Sequence, residues 1–130
     1  MRVVFDSNIF ISALVFRSGQ AAKALGKIVD GVDTLVISRE IIREVAEVLG
    51  RKFDADADEM SRVALFLADI GEMVEPGRRL AVLQDEPDNR ILECAEAGRA
   101  ASIVTGDRAM LALGCHGDVR IMPLAAYLKM

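Results

Sequence analysis

Apolar residues recur along the chain with two different periods, one typical of buried strands and one typical of helices. The first segment, Arg2 to Phe5, is rich in Val and Phe and predicts a strand, and apolar residues at helical spacing follow it. The same order recurs at Thr34 to Ile37, which predicts a second strand, and Ser38 is placed to cap the helix after it. The pattern therefore predicts strands that alternate with helices.

This alternation continues to the end of the chain. Further predicted helices are one over 22–29, the helix capped by Ser38 with its apolar face at 41–49, and one opened by Asp54, Asp56 and Asp58 with apolar residues at 60–67. A loop over 84–87, a helix from Asp88, a strand at 103–104, and a last strand and helix over 119–122 and 123–128 follow. Parallel neighbours in a sheet need crossover connections, and helices supply them. The predicted fold class is therefore α/β, a single domain with a central, mostly parallel sheet flanked by helices on both faces.

Composition agrees with one folded domain. The chain has 130 residues, of which 52% are hydrophobic and 28% charged, so it can bury a core large enough to offset the entropy lost on folding. No apolar stretch approaches the roughly 20 residues that cross a bilayer, and the N-terminal segment lacks the features of a secretory signal. The two cysteines, Cys94 and Cys115, do not have the spacing of a zinc site, and a cytoplasmic location is expected.

The net charge of -4 argues against a large basic surface for nucleic acid, so the positions of the acidic residues become important. Asp6 and Asp107 each follow a predicted strand, and ligands bind outside the carboxyl ends of parallel strands. On the helix after Ser38, Glu44 falls about 40° outside the apolar arc, whereas Glu40 is predicted to face solvent. Asp6, Asp107 and Glu44 are therefore expected at one sheet edge, together with the helix residue Asp88.

Acidic side chains brought this close together repel one another. Each pair costs about 1 kcal/mol in water-like surroundings and about 4 kcal/mol at an effective dielectric constant near 20. A cation would remove this repulsion, and an all-oxygen cluster without histidine or thiolate favours Mg²⁺ or Mn²⁺ over Zn²⁺. A site of this kind can hold a phosphate group through the ion and can activate water for attack on it.

Four motifs carry a resemblance to a known family. They are Val-Val-Phe-Asp-Ser-Asn-Ile from residue 3, Ser-Arg-Glu-Ile-Ile-Arg-Glu-Val from residue 38, Asp-Glu-Pro-Asp-Asn-Arg-Ile-Leu-Glu-Cys-Ala from residue 85 and Ile-Val-Thr-Gly-Asp-Arg from residue 103. In this order they resemble PIN-domain ribonucleases, and most of all the VapC-like branch regarded as toxins of toxin–antitoxin pairs. The resemblance spans nearly the whole chain and is weakest from Arg51 to Leu83.

The resemblance implies roles for individual residues. Asp6, Asp88 and Asp107 would be the main metal ligands, and Glu44 would complete the cluster directly or through water. The supporting positions that the resemblance implies are Ser7, Asn8, Thr105 and, with less support, Asp85. It also implies that the chain cleaves single-stranded RNA, forms a homodimer, and is blocked by an antitoxin protein. Five arginines near the predicted edge are candidates for phosphate contacts: Arg17, Arg39, Arg43, Arg90 and Arg108.

Other interpretations of the same residues stay open at this point. Asp6 and Asp88 can act only as helix caps, Glu44 can be a solvated surface acid, and the Thr-Gly-Asp segment can be only a turn. A metal-dependent phosphatase with Asp6 as nucleophile, or a catalytically silent module that binds metal or RNA, are the alternative functions. The lone His116 and the adjacent Cys115 do not form a nucleophile with an oriented base.

Overall fold

The strands and helices of this protein are taken from a computed structural model that describes residues 1–130. The strands are β1 (Arg2–Phe5), β2 (Thr34–Ile37), β3 (Gly71–Met73), β4 (Ser102–Val104), β5 (Cys115–His116) and β6 (Val119–Met122). The helices are α1 (Ser7–Val15), α2 (Gln20–Val29), α3 (Arg39–Phe53), α4 (Ala57–Ile70), α5 (Glu86–Ala97), α6 (Arg108–Leu113) and α7 (Leu124–Leu128). No helix is both long and apolar enough to cross a lipid bilayer.

The strands form one six-stranded sheet in the order β3-β2-β1-β4-β6-β5. All neighbours are parallel except β5 and β6, which form an antiparallel pair at one edge. Three consecutive residues are buried in each of β1, β2 and β4. Because successive side chains of a strand point to opposite faces, the sheet must be covered on both faces. The α/β fold class predicted from the sequence is confirmed.

The order of the strands reverses at β1, with β2 and β3 on one side and β4, β6 and β5 on the other. β1 lies between β2 and β4, with Phe5 opposite Val104 in the parallel register, and the later strands extend outward on either side. Such a reversal of strand order opens a crevice at the carboxyl ends of the two central strands. The residues directly after β1 and β4 are therefore the first place to look for a ligand site.

Several elements differ from the sequence prediction. Residues 84–87 were predicted to be a loop with the helix starting at Asp88, but α5 begins at Glu86 and Asp85 is its N-cap residue. Pro87 was interpreted as part of the loop, although its fixed φ suits the first turn of a helix. The short elements β3, β5 and α6 were not predicted, because they contain too few residues to show a periodic pattern. The segment Gly-Cys-His-Gly at 114–117 is typical of a turn in the sequence, but Cys115 and His116 form β5.

The helices α3 and α4 begin at side-chain caps. Ser38 accepts a hydrogen bond from the Ile41 backbone N–H at 3.4 Å and so caps α3, as predicted. Asp56 and Glu59 form a capping box at the start of α4. At the other end of α5, a Cβ on Gly98 would lie 2.1 Å from Cγ1 of Val36, so only glycine lets this helix approach β2 so closely. The caps fix where α3 and α4 begin, and the close approach of Gly98 to Val36 holds the end of α5 against the sheet.

Candidate active site

Asp6 stands directly after β1 and is held there by the neighbouring strand. Its backbone N–H donates to the Val104 carbonyl at 2.9 Å, which extends the pairing of β1 with β4 by one residue. The Thr105 hydroxyl donates to Oδ2 of Asp6 at 2.7 Å, and both side chains are buried. No hydrogen bond of capping geometry joins the Asp6 side chain to α1, but the backbone of Asn8 and Ser7 in the first turn also favours the ionised carboxylate by lowering its pKa.

Asp107 is tied to the same threonine. Its backbone N–H donates to Oγ1 of Thr105 at 3.0 Å, so one hydroxyl links the residue after β1 to the loop after β4. Oδ2 of Asp107 accepts from the Met110 backbone N–H at 2.9 Å and caps α6. The Thr-Gly-Asp segment therefore turns the chain, begins a helix and brings a carboxylate towards Asp6.

Asp88 supplies a third carboxylate, from the first turn of α5. Only 8% of this residue is exposed, and burial is the main reason that its pKa is raised to about 7. The negative charges of Asp107, Asp6 and Asp85, and a hydrogen bond with the Asp107 carboxyl, raise the pKa further. The structure therefore brings Asp6, Asp88 and Asp107 into one electrostatic cluster.

The pKa of Asp6 is raised as well. Burial is again the largest cause, and the charge of Asp107 acts in the same direction, while the hydrogen bond from Thr105 opposes both by favouring the ionised form. Two neighbouring acids that both resist ionisation are typical of a functional site, because a stable core avoids buried like charges. This shared environment favours a role for Asp6 and Asp88 beyond helix capping.

Glu44 is half-buried and lines a cavity together with Ser7 and Pro87, the chain neighbours of Asp6 and Asp88. This cavity has a volume of about 200 Å³, and Glu44 is not among the groups that raise the pKa of Asp88. The residues that line the cavity are Ser7, Glu40, Ile41, Glu44, Arg79, Glu86, Pro87 and Arg90. The sequence prediction was wrong for Glu40, which was expected to face solvent but is half-buried in this wall, since it lies one helical turn before Glu44.

The remaining predicted site residues fall into three groups. Ser7 is buried in the wall of the cavity, whereas Asn8 and Asp85 are exposed at the starts of their helices. Four of the five candidate arginines are exposed: Arg17, Arg39, Arg43 and Arg108. Arg90 is not free to bind phosphate, because its buried guanidinium pairs with Glu93 at 2.7 Å and with Glu86 at 3.1 Å. We therefore assign Arg90 a structural role in place of the predicted one.

Sequence reasoning missed Arg79 and Glu86 in the cavity wall. Arg79 lies in the segment between β3 and α5, where no periodic pattern singles out a position. Glu86 was interpreted as part of a loop. The Asp-Glu-Pro-Asp segment was nevertheless a usable signal, since an acidic first turn with an early proline is typical of a helix start.

The donor set fits a hard divalent cation. Asp6, Asp88 and Asp107 offer only oxygen, and the repulsion that raises the pKa of Asp88 is relieved by positive charge placed among them. As they stand, no three acidic, histidine or cysteine side chains meet the geometry required to hold one metal ion.

Comparisons with known proteins agree with the fold and the order of the motifs. The family model described as PIN domain matches residues 2–109. The uncharacterized protein MJ1680 of Methanocaldococcus jannaschii is 27% identical over 117 residues, which cover 87% of this chain and 75% of that protein. The matched region contains Asp6, Asp88 and Asp107 of the cluster described above.

Two solved structures are similar over nearly the full length. One is VapBC2 from Rickettsia felis bound to a DNA fragment from its promoter, with a TM-score of 0.66, 15% identity, and coverage of 95% of this chain and 98% of the other. The other is VapBC-1 from nontypeable Haemophilus influenzae, with a TM-score of 0.67, 16% identity, and coverage of 96% and 99%. At such low identity the likeness establishes the fold.

Proposed function

The chain belongs to the PIN domain family, and from that premise we propose that it is a metal-dependent endoribonuclease that cleaves phosphodiester bonds in single-stranded RNA. One observation carries most of this proposal. Asp6, Asp88 and Asp107, which are far apart in the sequence, lie close enough that the charges of Asp107 and Asp6 add to burial in raising the pKa of Asp88 to about 7. Such an arrangement costs stability, and a catalytic or metal-binding role explains why it is present.

We assign the metal site to the three aspartates, with Glu44 contributing from the adjoining cavity directly or through water. Mg²⁺ or Mn²⁺ suits this all-oxygen set. When bound, such an ion supplies charge neutralisation, a hold on the scissile phosphate and activation of water. The identity and number of ions are part of the proposal.

The chain itself orients the acids. Thr105 fixes Oδ2 of Asp6 at 2.7 Å and, through its contact with the Asp107 backbone, sets the distance between the two loops. Asp107 is held further by its cap on α6. Asp88 is held by the first turn of α5. Three carboxylates anchored by separate elements keep their relative positions when a charged substrate approaches, which is the preorganisation that catalysis requires.

The direct test is cleavage of a mixed single-stranded RNA by the purified protein. Cleavage is expected with Mg²⁺ or Mn²⁺ and is expected to stop when a chelator is added. Asp6→Asn should abolish cleavage while leaving the circular dichroism spectrum unchanged, because the amide keeps the shape of the side chain but loses its charge. Asp118→Asn, at an exposed position in the turn before β6, is the matched control and should cleave normally. Wild-type cleavage by Asp6→Asn would contradict the proposal.

We further propose that a protein partner of the antitoxin type regulates the enzyme and that the chain forms a homodimer. Support comes from the two similar structures, which are VapBC complexes, and from large apolar side chains that this protein leaves exposed. Examples are Phe53, Leu65 and Phe66, which are 46%, 71% and 37% exposed. Exposed apolar patches on a single chain are typical of interaction surfaces.

Light scattering distinguishes these assemblies. The protein alone is expected at twice the mass of one chain. After coexpression with the product of a neighbouring gene, it should elute in a larger complex that cleaves RNA more slowly. A monomer whose activity is unaffected by coexpression would contradict the partner proposals but leave the nuclease proposal intact.

A further inference from the structure

Side chains of α5 form hydrogen bonds with the backbone of residues 80–83, the segment that precedes the helix. Oδ1 of Asn89 accepts from the backbone N–H groups of Val82 and Leu83 at 3.1 and 2.8 Å, and Nδ2 of Asn89 donates to the Leu83 carbonyl at 2.8 Å. Oε2 of Glu93 accepts from the Leu80 N–H at 2.8 Å. These buried contacts fix the backbone from Leu80 to Leu83, and they set the position of the residue just before it.

That residue is Arg79, and its surroundings differ sharply from those of Arg90. The Arg90 side chain is 10% exposed, and its guanidinium is used by Glu93, Glu86 and the Leu80 carbonyl. The Arg79 side chain is 71% exposed and approaches only Glu93, with Nη1 at 3.9 Å from Oε1. Both arginines line the same cavity, but the one unpaired donor of Arg90, its Nε, is buried, whereas the donors of Arg79 are exposed to solvent.

Glu93 accounts for the position of Arg79. Its side chain is 1% exposed, and its Oε1 is buried without a hydrogen bond. Oε2 of Glu93 is paired with Arg90, but Oε1 has no hydrogen bond and attracts the Arg79 guanidinium, although the 3.9 Å separation is too long for a hydrogen bond and leaves the donors of Arg79 free. The guanidinium is therefore kept at the rim of the cavity that Ser7 and Glu44 also line.

We propose that Arg79 binds a backbone phosphate of single-stranded RNA next to the carboxylate cluster, and that Glu93 acts as its positioning residue. The inference rests on the proposed nuclease function and adds one specific contact to it. An acidic site in a chain of net charge -4 repels RNA, so a cation near the entrance lowers the barrier to approach. The planar guanidinium also matches the geometry of a phosphate group and can donate two hydrogen bonds to it.

The test measures RNA binding as a function of salt concentration. Fluorescence anisotropy of a labelled single-stranded RNA of mixed sequence is recorded between 50 and 200 mM salt, on an Asp6→Asn background so that the RNA stays intact. Loss of one phosphate contact should reduce the slope of log K against log salt by about 0.7. We expect this reduction for Arg79→Gln and not for Arg79→Lys, which keeps the charge.

Arg51→Gln is the matched control, because Arg51 is an exposed arginine near the far end of α3. In the otherwise wild-type enzyme, Arg79→Gln should raise KM several-fold and change kcat little, since the contact forms when RNA binds. An unchanged slope for Arg79→Gln, or an equal loss for Arg51→Gln, would overturn the role of Arg79 while wild-type cleavage still supported the nuclease. Absence of both binding and cleavage in the wild-type protein would overturn the two together.

Discussion

The first turn and the middle of α5 each bury a carboxylate, and the two have opposite surroundings. Asp88, in the first turn, is 8% exposed and faces Asp6 and Asp107. Glu93, little more than one turn later, is 2% exposed and pairs with Arg90 while accepting the Leu80 N–H. Burial is almost equal at the two positions, so burial alone does not distinguish a site residue from a structural one.

The difference lies in the charge of the neighbours. When a buried acid pairs with a cation and accepts a hydrogen bond from the backbone, these contacts offset the free-energy cost of burying its charge, and the acid contributes to the fold. Removing the acid leaves the partner cation buried without a counter-charge. A buried acid among other acids is uncompensated and contributes nothing favourable to the fold. We therefore expect mutations of Asp88 to change activity and mutations of Glu93 to change stability.

The largest expected effect is on activity, at Asp88. Asp88→Asn should lower the rate of RNA cleavage by about 10²–10³-fold, because one of the three central carboxylates loses its charge. The melting temperature in the presence of a chelator should not fall, since the substitution also removes repulsion from Asp107 and Asp6. Single-turnover cleavage and thermal denaturation measure the two quantities. A variant that unfolds more easily but cleaves normally would reverse the roles assigned to the two carboxylates.

The next largest effect is on stability, at Glu93. Glu93→Ala should destabilise the protein by about 3 kcal/mol, because it leaves the buried Arg90 guanidinium without its closest acid. Urea denaturation followed by circular dichroism measures this change. Glu93→Gln is the control, and it should cost less because an amide oxygen can still accept from the Leu80 N–H. Equal losses for the two variants would mean that the charge of Glu93 is unimportant.

A smaller effect is expected in the pH dependence of stability, where the contribution of Asp88 can be isolated by comparing the wild-type protein with Asp88→Asn. Its pKa is raised from 3.8 to about 7 in the folded state, so its contribution to stability is fully present below pH 3.8 and is lost as pH rises through about 7. With a chelator present, the wild-type protein should therefore lose stability relative to Asp88→Asn between pH 5 and 8.5. Parallel melting curves for the two proteins across this range would contradict the raised pKa. Addition of Mg²⁺ above pH 7 should restore the wild-type melting temperature.

The smallest effect is expected near the end of α5, where Glu96 is paired but exposed. Hydrogen bonds from Arg78 and then from His116 lower its pKa to about 2, so its stabilising contribution is present above pH 4.5 and is lost as pH falls through about 2. Solvent screens this pair, and Glu96→Gln should lower the melting temperature at pH 7 by only about 1–4 °C. If Glu96→Gln destabilised the protein as much as Glu93→Ala, then the charge pairing of an acid on this helix would matter more for stability than its burial.

Much of the fold was predictable because the signals for its strands and helices lie within short stretches of the sequence. The strands Arg2–Phe5 and Thr34–Ile37 were predicted with the bounds that the structure shows, since each is a short apolar run followed at once by a helical pattern. The Ser38 cap was predicted for a local reason, because a hydroxyl before an amphipathic helix satisfies a free N–H. The start of α5 was missed because proline is common in both loops and first helical turns.

Some residues of the candidate site could be identified from local sequence signals, and others could not. Asp6 and Asp107 were identified from their positions after strands, which is a property of the linear chain. The surroundings of Arg90 and Arg79 could not be identified in this way, because arginine side chains are long and their partners come from other segments. The sequence placed Arg90 with the phosphate contacts and passed over Arg79, whereas in the structure Arg90 is paired with Glu93 and Glu86 and Arg79 is exposed.

The amino-acid sequence alone specifies the alternation of strands and helices, the caps, and the acidic residues that follow β1 and β4, because hydrophobic period and backbone hydrogen bonding act over a few neighbouring residues. Which buried acid meets another acid and which meets an arginine depends on how α5 packs beside β1 and β4. Electrostatic energy depends on distance in space and on exclusion of water, and both arise only when segments far apart in the chain are packed together.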